Sequence, residues 1–380
     1  MAALEGLLAR HRERHRPAGF GFAVSDGVAA LDAGTWDGLT RRAGFFMSRR
    51  YLEVLERAGP ANLSPRCVLI RRGPKPVAAV AAQLLDIPAA GALRTRVLVC
   101  GNLLSWGQHA AAFAPDEDPA ALWPGVAEAL YRIRRAERLS GRAAVVLVKD
   151  LADGAGLGVE ALRRFSYARV STDPNMVLTL RPEWASFDGY LASLQAKYRS
   201  QVNAVSRRLA AAGCTVERLG DVAGNAERLH ALYRQVQAAA PVRPVAVPPG
   251  YFPALARAAG EDFRCTVIRR GPDILGFATT LRDGDEAVAY YLGYERALRS
   301  ELPLYFRLLR CGIDDAIEWR CRRLSMGRTS LAPKAQLGAR PVPTSLWLRH
   351  ANPVLNVLAR GLLGAAPHGE APATSPFKAV

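Results

Sequence analysis

The sequence predicts an α/β protein built as two tandem halves related by internal duplication, each a mixed sheet flanked by helices. Three observations carry this. Residues 66–74 read RCVLIRRGP and residues 264–272 read RCTVIRRGP, identical at seven of nine positions across an offset of 198 residues. Each copy is followed by a second β-like run, Val77 to Leu85 and Ile274 to Leu281. The same order of elements surrounds both copies, which is the signature of a repeated unit.

The elements follow in order. Ser48 to Arg57 has Tyr51, Leu52 and Leu55 on one side and predicts a helix. The first hairpin then pairs a strand containing Val68 and Ile70 with the run after Gly73-Pro74, a turn-forming pair. A strand (Arg96 to Cys100), a helix (Ala120 to Leu139) and a strand (Ala143 to Lys149) complete the first half. The second half repeats the pattern: a helix Ala226 to Gln237, the hairpin with Val267, Ile268 and Gly271-Pro272, a strand Ala287 to Gly293, a helix Leu302 to Ile317 and a strand Arg323 to Met326. Helices on the faces of a half-sheet suit that order. The turn chemistry of Ser171 to Asn175 places the boundary between residues 1–175 and 176–350, and 351–380 reads as a C-terminal helix and loose tail.

Composition is ordinary for a folded protein: 380 residues, 50% hydrophobic, 22% charged. The net charge is +17, and 46 of the basic residues are arginine against five lysines, Lys75, Lys149, Lys197, Lys334 and Lys378. Such a chain suits an anionic partner: nucleic acid, a phosphorylated cofactor or a lipid headgroup. The six cysteines form no CxxC pair and no HExxH occurs, so no metal site is expected. The opening MAALEGLLARHRERHRPAGF lacks the order of a secretory signal, no apolar run reaches the length of a membrane span, and a cytoplasmic address is expected.

In the second half, Leu194 to Gly213 forms a helical segment with Lys197-Tyr198-Arg199, followed by Thr215-Val216-Glu217. The strand AVAYYLGYE, the helix LPLYFRLLRCGIDDAIEW and the segment LSMGRTSLAPKAQLGA come after it. This order resembles the GNAT-fold acyltransferases, in particular the FemAB-like branch with two GNAT-like domains in one chain. The motif positions are Lys197 and Arg199 at the helix start, and Gly327, Arg328, Thr329, Lys334, Leu337 and Gly338 in the closing segment. The resemblance implies transfer of an acyl or aminoacyl group to an amine, by direct attack in a cleft of the second domain, with the first domain as scaffold or acceptor wall. The implied donor is acyl-CoA, a co-substrate and not a permanent cofactor, or an aminoacyl-tRNA. The implied acceptor bears an amine, as in a cell-envelope precursor; neither DNA nor a membrane span is expected.

One departure stands out. The loop that would hold a donor pyrophosphate, Glu295 to Glu301, contains no glycine. Ser300 could cap the following helix, while Arg296 and Arg299 could meet phosphate with their side chains. Lys334 is the expected catalytic ammonium, because a lysine in so arginine-rich a chain suggests that its geometry is wanted. Tyr291 joins it as the second catalytic candidate. Tyr290 and Tyr291 should alternate on their strand, one facing a pocket and the other the opposite face. Arg328 and Thr329 are expected to bind donor, and Lys197 and Arg199 substrate. Asp314, Asp315 and Glu318 read as a solvated helix face, and His109 and His230 as structural. Two other readings stay open: a non-catalytic RNA- or tRNA-binding protein on the same fold, and a structural partner in envelope-polysaccharide assembly.

Overall fold

The computed structural model describes residues 19–88, 94–108, 110–137, 143–152, 158–240, 243–364, 372 and 374–378. The opening segment, His109, and most of the expected tail lie outside the described residues.

The first half contains β1 (Gly21–Ser25), α1 (Ala33–Thr40), α2 (Arg49–Ala58), β2 (Leu63–Arg72), β3 (Lys75–Pro88), β4 (Arg94–Cys100), β5 (Ala111–Phe113), α3 (Pro119–Ala136) and β6 (Ala143–Ala152). β7 (Ala168–Thr179), α4 (Phe187–Ser193), α5 (Ala196–Ala211), β8 (Cys214–Arg218), α6 (Ala226–Gln237) and α7 (Tyr251–Ala259) follow. The chain continues through β9 (Phe263–Arg270), β10 (Asp273–Asp283), β11 (Glu286–Tyr294), α8 (Leu304–Glu318), β12 (Arg323–Ser325), α9 (Leu331–Gln336), β13 (Arg340–His350) and α10 (Pro353–Gly364).

Local chemistry explains the elements. Ser48 accepts a hydrogen bond from the Tyr51 N–H and starts α2. Asp118 does the same for α3, with Pro119 at the first helical position. The two hairpins close through the same two-residue turn, in which Gly73 and Gly271 both adopt φ +58. That left-handed value favours glycine.

The strands form one continuous sheet in the order β1-β2-β3-β4-β6-β13-β7-β12-β11-β10-β9-β8, with β5 added to β3. Read from each edge inward, the two halves match. Three antiparallel pairings are followed by a parallel one, β4 with β6 and β11 with β12, and then by an antiparallel strand. The innermost strands are exchanged: β7 pairs with β12 of the second half, and β13 returns to pair with β6 of the first. β7 and β13 also pair with each other at the centre.

This exchange changes the expected boundary. Residues 171–175 form part of β7, not a linker. Pairing to β13 overrides the turn chemistry, and a register shift between Val342 and Thr344 accommodates Pro174. The core crosses the halves as well. Trp36, Phe46 and Tyr51 share one buried cluster with Leu229, Tyr251, Phe252 and Phe277. Part of the tail is pinned: the Gln195 N–H donates to Pro376 O (2.8 Å), and the Phe377 ring packs against Trp184 with centroids 5.3 Å apart.

Candidate active site

The two parallel strand pairs differ in one respect that creates the site. β4 and β6 stay paired from Arg96↔Ala143 to Cys100↔Val148. β11 and β12 pair only from Glu286↔Arg323 to Val288↔Ser325, and then diverge. Beyond Val288, β11 pairs with β10 alone among the described strands. A cavity of about 550 Å³ lies at this divergence, bounded by β11, α8 and the segment after β12. Small residues, among them Ala278, Ala289 and Gly312, leave the space that larger side chains would fill.

The structure brings Lys334, Tyr290, Tyr291, Arg296, Arg328 and Thr329 to this one cavity, together with Tyr305 from the first turn of α8. Both tyrosines face it, contrary to the expected alternation. Ala278 pairs with Leu292 and Thr280 with Ala289, so two residues of β11 oppose Thr279 alone. The Thr279 hydroxyl fills this bulge, donating to Tyr291 O (3.0 Å) and accepting from the Tyr291 N–H (2.9 Å). A bulge re-aims side chains in this way. The rings of Tyr290 and Tyr291 consequently meet at 4.7 Å.

Behind Tyr290 is a buried triangle of hydroxyls. Tyr251 and Tyr290 lie 2.6 Å apart, Tyr51 and Tyr290 3.2 Å, and Tyr51 and Tyr251 3.4 Å. Asn102 Nδ2 donates to Tyr51. Each hydroxyl can donate once around the ring, so the set is satisfied internally. Burial raises Tyr51, Tyr251 and Tyr290 above the ordinary phenol range. It does the same to Tyr291, so all four are neutral near pH 7.

Lys334 is 3% exposed on α9. No carboxylate or carbonyl accepts from its Nζ among the described residues. Desolvation alone moves its pKa down from 10.5 to about 7. Arg328 is held from the first half: its Nη2 donates to Asp150 Oδ1, whose side chain has no exposed surface. Lys149 also bonds Asp150, and its ammonium donates to Asn102 O (2.8 Å) and Ser105 O (3.0 Å). Arg328 Nε and Trp106 Nε1 are buried without acceptors among the described residues. Cavity-lining Trp106 stacks on Tyr290 at 5.7 Å and abuts Gly327, where an added Cβ would lie 3.1 Å from the indole. The wall therefore presents several donors to a ligand rich in acceptors.

Other expected positions lie elsewhere. Arg299 and Ser300 are exposed and outside the cavity lining. Ser300 caps nothing: α8 begins at Leu304 after Pro303, and no side chain caps it. The ring fixes φ at Pro303 and places the start three residues beyond the expected cap. Lys197 and Arg199 are on α5, away from the cavity. Arg199 borders a separate groove with Ser200, Asn203 and Arg207, whereas Lys197 lies beside the Tyr198 ring. Asp315 does not face water; Arg218 (2.5 Å) and Arg264 (3.3 Å) neutralise it in the core. His230 bonds Val247 O at 3.1 Å.

The sequence reading missed Trp106, Asp150, Thr279 and Tyr305. Lys149 carried a usable signal, since the scarcity of lysine that marks Lys334 marks it equally.

Residues 196–334 match the acetyltransferase (GNAT) domain family. Comparison with curated protein sequences gives no match. Among solved structures, FemX is 12% identical with a TM-score of 0.54, over 89% of this chain and 100% of that one. A tandem GNAT protein from the clavulanic acid biosynthesis pathway is 15% identical with a TM-score of 0.52, over 88% of this chain and 99% of that one. The chain thus has the fold of FemX and of the tandem GNAT protein, and its residues 196–334 match the acetyltransferase (GNAT) domain family.

Proposed function

We propose that this protein is an N-acyltransferase whose reaction takes place in the cavity between β11 and α8. The observation that carries the reading is Lys334, a buried amine on the wall of a cavity rich in donors, with no hydrogen-bond acceptor among the described residues. The acceptor's amine nitrogen attacks the donor carbonyl carbon. The new C–N bond forms, the carbonyl electrons move to oxygen, and the C–S or C–O bond to the carrier then breaks. Neutral Lys334 takes the proton released by the attacking nitrogen, and the resulting ammonium stabilises the oxyanion before the proton passes to the departing thiolate or alkoxide. Tyr291, neutral, offers a hydroxyl beside the same carbonyl. No covalent enzyme intermediate is needed; positioning of the two substrates supplies the remainder.

Acyl-CoA is the donor we assign. The unpaired edge of β11 beyond Val288 leaves backbone groups for an amide-bearing arm, and Arg296, Arg328 and Thr329 supply contacts to its polar end. Aminoacyl-tRNA is the second reading, favoured by the net charge of +17 and a phosphate loop without glycine. The acceptor is an amine-bearing molecule met in the cytoplasm, a cell-envelope precursor among the candidates.

The test is transfer from acetyl-CoA to a panel of primary amines, read as thiol release. Lys334→Met should reduce transfer by roughly 10- to 1000-fold, the range of losing one oxyanion contact. Unchanged transfer removes Lys334 from the mechanism. Filter binding of CoA and of tRNA at two salt concentrations separates the donors, because polyanion binding falls steeply with salt.

A further inference from the structure

The first turns of α10 carry apolar side chains directed away from the protein. Val354 is 68% exposed, Leu355 45%, Val357 65% and Leu358 55%. Their spacing puts them on one face. Among the described residues only Val24 and Ile87 are comparably exposed large apolar side chains, and these sit on different strands. The described side chain turned inward is polar. Asn356 is buried, accepting from the His350 N–H (2.8 Å) and donating to Ser166 O (3.0 Å). Asn352 Oδ1 accepts from the Val354 N–H (2.9 Å) at the helix start. These bonds fix the helix with its apolar face outward, an arrangement that burial in this chain's own core does not explain.

The surroundings are basic. α10 packs on β13 and β7, which carry Arg349 and Arg169. Exposed Arg163 and Arg164 lie just before Ser166; Glu160 pairs with Arg163, and β7 also carries Asp173. The sequence contains no Asp or Glu between Glu318 and Glu370. An apolar strip on a helix that packs against arginine-bearing strands suits one surface chemistry, acyl chains beneath anionic headgroups. A symmetric contact with a second copy would bring like-charged, arginine-bearing surfaces toward each other. At twelve residues the helix is about 18 Å long and cannot cross a bilayer, so it would lie in the plane of the interface.

We infer that α10 docks this protein on an anionic lipid surface through Val354, Leu355, Val357 and Leu358. This stands independently of the acyl-transfer reading. The full chain is sedimented with vesicles of phosphatidylcholine, with and without phosphatidylglycerol, at low and high salt. The expected result is binding to phosphatidylglycerol-containing vesicles that weakens with salt. It should fall about tenfold or more in the Val354→Ser/Val357→Ser/Leu358→Ser variant, since three apolar groups no longer enter the interface. It should persist in Val24→Ser/Ile87→Ser. If the triple variant does not fold, Val354→Ser and Leu358→Ser are measured singly and should each weaken binding. Wild-type-like binding of the α10 variants overturns the inference. So does failure of the wild type to bind vesicles, including the case where it self-associates through this face and the variants do not.

Discussion

Lys334→Met should make the protein more stable while it lowers the proposed transfer. Unfolded, the lysine titrates near 10.5; folded, desolvation lowers it to about 7. Below pH 7 both states carry the proton, and the native state bears the whole cost of a buried ammonium. Between about 7 and 10.5 only the unfolded state carries it, so wild-type stability rises with pH across that window. At 1.36 kcal/mol per pH unit the interval is worth about 5 kcal/mol, an upper value because local relaxation and water reduce it. Methionine fits the same volume without charge. Urea denaturation should therefore show a gain of about 2–5 kcal/mol for Lys334→Met at pH 6, shrinking to about 2 kcal/mol at most by pH 9. The wild-type rate should rise with pH through about 7 as Lys334 becomes neutral. A variant less stable than the wild type, or a difference independent of pH, would refute the desolvated-amine argument.

Two further outcomes test the frame around the cavity. Asp150→Asn keeps the left-handed backbone at φ +61, which asparagine tolerates, but leaves Arg328 and Lys149 without their buried carboxylate. It should cost about 3–5 kcal/mol in chemical denaturation. Gly293→Ala would put a Cβ 2.5 Å from the Leu232 and Tyr233 backbone. It should lose about 1–3 kcal/mol and lower transfer by displacing α6 from β11, and a calorimetric scan with the amine assay checks both.

Much of the fold was readable because its signals are local. Alternating apolar residues and a Gly-Pro turn mark both hairpins, and α6 occupies Ala226–Gln237 as its apolar spacing predicts. The candidate site was readable where a residue type was unusual, as at Lys334. It was not readable at the bulge. No feature of Tyr290-Tyr291 states that Thr279 will insert its hydroxyl opposite them. Nor does the run Ser171 to Asn175 announce a strand, because its partner β13 lies some 170 residues away.

The sequence by itself determined the duplication, the order of elements, the basic charge and the closing segment that carries Arg328 and Lys334. These depend on neighbours in the chain, on periodicity and on turn chemistry. The tertiary structure alone decided that β7 and β13 change places between halves and that only β11 and β12 diverge into a cavity. It also decided that Asp150 and Trp106 of the first half reach the second half's site, and that an amine written as an ordinary lysine is desolvated. Burial and pairing are set by groups far apart in sequence, so they exist only once the two halves have closed on each other.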